Sequence, residues 1–199
     1  MSLQDEIAKK SSEIYREAYQ MSIGELINLY RDEELDIHPE FQRVFRWSDY
    51  QKTKLIESIM LNIPIPQIFV SQREDGTWDV IDGVQRLSTI FQFVGILKDE
   101  DGKDISPLVL EATDDLPSFA GMKWQGNGEL SFTKEQQLTL KRARLDVIII
   151  KKESDSNTKY ELFQRLNTGG SLLSDQEVRN CLVIMSNRDI YCLLYTSPS

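Results

Sequence analysis

The stretch best suited to chemistry in this sequence is Val80-Ile81-Asp82-Gly83-Val84-Gln85-Arg86-Leu87. A strand-forming run meets Asp82-Gly83, and a helix then opens with Gln85 and Arg86 in its first turn. The first backbone N–H groups of a helix lack internal partners, and the dipole there is positive, so that end favours an anion. Gly83 has no side chain to hold a phosphate away from the backbone. Arg86 adds a planar, permanently charged fork aimed at phosphate oxygens. Asp82 can hold a magnesium ion or orient a water molecule. The same residues also suit a plain helix start in which Asp82 is only a cap.

Two other clusters carry chemistry-bearing side chains. Phe41-Gln42-Arg43 with Arg46-Trp47 lies in a segment without helical or strand period, and Phe45 adds a third aromatic. Arginines interleaved with aromatics can stack a base or clamp a phosphate. Equally, the aromatics can plug the core while the arginines stay solvated. Phe163-Gln164-Arg165-Leu166-Asn167-Thr168-Gly169-Gly170 ends a helical pattern, and Glu177 and Arg179 follow on the next. Asn167 beside two glycines reads as a helix C-terminal stop or as a site residue, and Glu177 and Arg179 as surface charges or site groups.

The elements that must position these groups are largely periodic. Residues 3–20 carry a sparse apolar stripe that predicts an amphipathic helix. Ser22 with Glu25 and Ser48 with Gln51 have capping-box spacing, which opens helices there. The second of these runs to Leu61 and buries Leu55, Ile56, Ile59 and Met60, and Pro64-Ile65-Pro66 ends it. Leu35–Ile37 suits an edge strand. Residues 67–72 and 78–81 flank Glu74-Asp75-Gly76-Thr77, which predicts a hairpin. Leu87, Ile90, Phe91 and Val94 then fall on one helical face. Residues 98–129 read as loop-rich, with short strands and a poorly defined insertion. Helix Lys134–Lys141 leads into the strongest strand signal, Val147-Ile148-Ile149-Ile150. Further helices are expected over 158–166 and from Ser174 to about 190.

Composition narrows the function. The chain has 199 residues, 40% hydrophobic and 28% charged, enough for one sizeable core. No run approaches the roughly 18 apolar residues that cross a bilayer, and the polar start is no signal peptide, so no membrane partner is expected. Two cysteines cannot form a disulfide framework, which points to a reducing cytoplasm. The single His38 excludes a His-rich metal site and an HNH nuclease centre within these residues. A net charge of −9 argues against sequence-blind wrapping of nucleic acid, although a local arginine cluster can still take one anion. Cys192-Leu-Leu-Tyr-Thr-Ser-Pro-Ser199 matches one reading frame of a common sequencing adaptor, so the tail is expected to be non-native and the gene truncated near Tyr191; a genuine polar tail is the alternative.

Four elements in order carry a resemblance: Pro-Glu-Phe-Gln-Arg at 39–43, Ser-Ile-Met-Leu-Asn-Ile-Pro-Ile-Pro at 58–66, Ile-Asp-Gly-Val-Gln-Arg-Leu-Ser-Thr-Ile at 81–90, and Phe-Gln-Arg-Leu-Asn-Thr-Gly-Gly at 163–170. Together they resemble the N-terminal domain of GmrSD-type restriction endonucleases, a branch of the ParB/sulfiredoxin-like superfamily. The family's centre reads Asp-Gly-Gln-Gln-Arg, and Val84 here replaces its third residue. The resemblance implies an α+β fold with a compact mixed sheet and packed helices over 22–191, behind an N-terminal helix within 1–21. It implies nucleoside-triphosphate binding and hydrolysis in defence against phage DNA. It carries catalytic roles onto Asp82, Arg86 and Arg43, and ligand contacts onto Gly83, Gln85, Gln42 and Asn167, with Asp82 as the magnesium ligand. Arg43 and Arg86 are then expected to share one pocket. Arg86 is expected to be exposed, so that its loss costs stability no more than about 0.5 kcal/mol. DNA enters as a partner through a missing or separate nuclease domain. A redox role from the sulfiredoxin side has no cysteine within 82–86, and Cys181 reads as a core residue. The alternative function is a non-catalytic, ParB-like DNA-binding or adaptor domain.

Overall fold

The computed structural model describes residues 2–11, 15–37, 47–99, 101–126, 128 and 130–151. In chain order these form α1 (Leu3–Ser11), β1 (Arg16–Ser22), α2 (Ile23–Arg31), β2 (Leu35–Asp36), α3 (Asp49–Met60), β3 (Ile68–Gln72), β4 (Trp78–Asp82), α4 (Val84–Val94), α5 (Lys134–Arg142) and β5 (Arg144–Ile150). The strands make one sheet in the order β1-β5-β3-β4-β2. Its outer neighbours differ in sense: β1 runs antiparallel to β5, while β2 runs parallel to β4. Inside, β3 is parallel to β5 and antiparallel to β4. The sheet is mixed and the fold is α+β, as expected. No helix among the described residues is long and apolar enough to cross a membrane.

The core lies where the apolar faces of α2, α3, α4 and α5 meet one face of this sheet. Ile68, Val70, Val80, Leu145, Val147 and Ile149 supply the sheet side. Leu87, Ile90, Phe91 and Val94, the predicted stripe of α4, are all buried. Tyr30 of α2 stacks on Phe91 with ring centroids 4.3 Å apart. Caps set the helix starts as the spacing indicated. Ser48 Oγ accepts from the Gln51 N–H (3.2 Å), and Gln51 Oε1 accepts from the Ser48 N–H (2.9 Å). Between β3 and β4, Asp75 Oδ1 accepts from the Thr77 N–H at 2.9 Å and closes the hairpin turn.

Two expectations fail. The predicted helix over 3–20 stops at Ser11, and Arg16–Ser22 is a strand paired residue by residue from Ile150 to Arg144. Only Met21 of β1 is buried, so the ladder with β5 fixes the strand and its side chains carry almost no pattern. Within the segment expected as a helix, β1 belongs to the sheet through its pairing with β5. The predicted insertion over 98–129 is packed structure. Leu108, Leu110, Phe119 and Trp124 join the core, with Phe93 edge-on to Trp124 at 5.7 Å. Residues 38–46 and the predicted helices over 158–166 and 174–190 lie outside the described residues, as do Cys181 and the tail 192–199.

A polar clasp holds the 108–116 segment to α3. Glu57 of α3 is 1% exposed, and its carboxylate accepts from Thr113 Oγ1 and pairs with Lys54. Thr113 Oγ1 in turn accepts from the Leu116 N–H at 3.0 Å, and Thr53 Oγ1 accepts from the Glu111 N–H at 3.1 Å. Burial alone pushes the Glu57 carboxyl up, but hydrogen bonds from Lys54 and Thr113, with the Lys54 charge, outweigh it and hold it below the ordinary 4.5. A carboxyl depressed by folding stabilises the protein above its unfolded pKa, and that contribution disappears as pH falls through the folded value. Glu57→Gln should therefore cost about 2 kcal/mol at pH 7. Denaturant titrations should show the wild-type advantage shrinking as pH drops below 4.5.

Candidate functional site

The Asp82-Gly83-Val84-Gln85-Arg86 motif sits at the joint between the end of β4 and the start of α4. Gly83 is the N-cap of α4 with φ of 102° and ψ of 9°, and no side chain caps the helix. That left-handed backbone suits glycine, and there is a second constraint. A Cβ at residue 83 would run into Ile68 Cδ1 and come within 3.5 Å of Arg86 Nη2. Ile68 is fully buried on β3, so glycine is what allows strand, turn and helix to close together. The first-turn amides of Val84, Gln85 and Arg86 thus begin a helix that has no side-chain cap.

Arg86 does not stand out in solvent as expected. Its side chain is only 12% exposed and folds back across the joint. Nη2 donates to Asp82 Oδ2 at 2.6 Å, one helical turn back. Nη1 donates to the Pro66 carbonyl and to the Gln67 carbonyl, the latter at 3.0 Å. Of the five N–H groups of a guanidinium, these contacts occupy three, so two have no partner among the described residues. The arginine is thus a fastener of the loop before β3. The physical reason is simple: a fork that reaches two carbonyls and a carboxylate is held, not free.

Asp82 is also engaged. Its carboxylate is 33% exposed and one oxygen serves Arg86, so it does not act as the helix cap. Among the described residues no three His, Cys, Asp or Glu side chains gather into a metal cage. Asp82 is the carboxylate that the described residues place at the start of α4, and magnesium would take one such carboxylate together with substrate oxygens.

Gln85 makes the contact that links the first two sequence clusters. Its Oε1 accepts from the Trp47 backbone N–H at 3.3 Å. Trp47 packs against the core and directly precedes Ser48, the N-cap of α3. The N-termini of α3 and α4 therefore meet through one hydrogen bond, and two positive dipole ends share a neighbourhood. The first turn of α3 is closed by its own capping box, whereas that of α4 is not.

The structure brings together Asp82, Gly83, Gln85 and Arg86. Gln42, Arg43 and Asn167 lie outside the described residues, as does the shared pocket expected for Arg43 and Arg86. Sequence reading missed the Pro66 and Gln67 carbonyls and treated 64–66 only as a helix stop. Those acceptors are backbone atoms, and the signal available was the pair of prolines, which keeps the segment out of regular hydrogen bonding.

Residues 23–184 match the model of a family described as GmrSD restriction endonuclease, N-terminal domain. No curated protein and no solved structure matches the chain.

Proposed function

The chain belongs to the family of GmrSD restriction endonuclease N-terminal domains, and from that premise we propose that it is a nucleoside-triphosphate-binding and hydrolysing module of a phage-restriction system. The observation that carries this reading is the uncapped start of α4 at Gly83, with Arg86 and Asp82 at its first turn. Backbone amides and a positive dipole end favour phosphate oxygens, and glycine lets them come close.

In this reading the amides after Gly83 and the two remaining Arg86 N–H groups hold the phosphates. Arg43, from the segment that ends at Trp47, neutralises charge that develops on the terminal phosphoryl group. Asp82 orients the attacking water, or holds magnesium, which when bound supplies charge neutralisation to the phosphates. Gln42 and Asn167 complete the contacts to the nucleotide. Water adds to the terminal phosphorus as the bridging oxygen leaves, yielding the diphosphate and inorganic phosphate. DNA is reached through a nuclease domain rather than through these residues, and the acidic chain suits a small anion better than a duplex.

Equilibrium binding of ATP, GTP, CTP and UTP to the purified chain, with and without magnesium, tests the reading. We expect saturable binding that needs the triphosphate, and release of inorganic phosphate at a rate above the uncatalysed one. Binding of duplex DNA with no affinity for any of the four nucleotides would instead establish the DNA-binding or adaptor role.

A further inference from the structure

We propose that β1 is a self-pairing edge: two copies of this chain join their sheets by running β1 against β1, antiparallel, about a twofold axis at Ala18. β1 is an outer strand of the sheet. The bonds just beyond its two ends fix which of its main-chain groups are already used. The Lys151 N–H donates to the Tyr15 carbonyl, and the Ile23 N–H donates to the Ala143 carbonyl, both at 2.9 Å. Residues of an antiparallel ladder alternate between bonded and non-bonded pairs, and the register with β5 is unbroken from Arg16 to Ser22. Glu17, Tyr19 and Met21 therefore bond to β5, while the N–H and C=O groups of Arg16, Ala18 and Gln20 point away from it. Among the described residues no main-chain group pairs with them. Neither proline, lysine nor a bulge within residues 16–22 blunts this edge.

Charge chooses the occupant and the register. With Ala18 facing Ala18, Arg16 stands opposite Gln20 of the second copy, and Glu17 stands opposite its Tyr19. Gln20 Nε2 already donates to Asp146 Oδ1 at 3.1 Å, so the cationic Arg16 joins a row that ends on a carboxylate. Tyr19 Oη donates to Glu17 Oε2 at 2.7 Å within one chain, and the axis repeats that partnership between chains. Sliding the strands one way sets Glu17 against Glu17, a like-charge pair. Sliding them the other way sets Arg16 against Ser22, where the chain turns into α2. The pairing adds about six main-chain hydrogen bonds over a small isologous interface, so the dimer should be micromolar rather than tight.

Analytical ultracentrifugation of the full chain from about 1 to about 300 μM reads the association. The expected result is a concentration-dependent dimer. Ala18 is exposed, so a charge there leaves the core untouched. Ala18→Asp and Ala18→Lys each set like charges face to face on the axis and should weaken the dimer about fivefold or more. Mixing the two variants in equal amounts should restore association, which also shows that both are folded. A wild-type chain still monomeric at about 300 μM overturns the proposal, as it would be if another segment or another protein held this edge. A dimer that Ala18→Asp leaves unchanged puts the interface elsewhere and overturns it. Loss in both variants with no recovery on mixing overturns the axis at Ala18.

Discussion

Replacing Arg86 with alanine is expected to weaken triphosphate binding about 100-fold or more and to destabilise the fold by about 2 kcal/mol. Both effects have one origin. The guanidinium ties Asp82 at the end of β4 to the carbonyls of Pro66 and Gln67, and it is only 12% exposed. Alanine leaves these acceptors without their donor and removes the charge beside the α4 start. Arg86→Lys is expected to recover part of the affinity through its charge and little of the stability, because a single ammonium nitrogen lacks the planar fork that reaches the carbonyls with Nη1 and the carboxylate with Nη2. Chemical denaturation and nucleotide titration of the same preparations check the two quantities separately. An Arg86→Ala protein as stable as wild type would show that the bonds to 66 and 67 contribute nothing in solution.

Gly83→Ala should cost about 2–3 kcal/mol, a large effect for one methyl group. One part is backbone strain, since φ is 102° there. The other is the collision with Ile68 Cδ1, which sits in a fully buried side chain with little room to turn. The two parts can be separated. Ile68→Val deletes the colliding methyl and alone should cost about 1 kcal/mol. In the double variant the two costs should sum to less than the separate ones, with a coupling of about 1 kcal/mol. Strict additivity would mean that strain at residue 83, and not the contact with Ile68, explains the glycine. Nucleotide affinity should also fall in Gly83→Ala, since the new methyl stands on the turn that phosphate must approach.

Much of this architecture was legible because local chemistry and tertiary packing agree. The caps at Ser48 and Ser22, the α4 stripe and the run Val147–Ile150 all state in sequence what burial later requires. β1 was illegible because its residues are exposed apart from buried Met21 and half-buried Ser22, and pairing with β5 rather than any pattern defines it. The 98–129 region was illegible for the opposite reason. Leu108, Leu110, Phe119 and Trp124 are core residues delivered by irregular backbone, which has no period to detect. At the site, Asp-Gly between strand and helix marked the turn correctly. The state of its side chains depended on partners far away in sequence, Pro66 and Gln67 for Arg86 and Trp47 for Gln85. Such contacts to main-chain atoms leave no trace in residue type.

The central claim is that triphosphate oxygens bind the start of α4. Backbone amide NMR during titration of the full chain with a nucleoside triphosphate, and separately with the nucleoside alone, tests it most directly. The account predicts that the amides of Val84, Gln85 and Arg86 shift with the triphosphate and not with the nucleoside. Saturable triphosphate binding that leaves these three amides unmoved would contradict it.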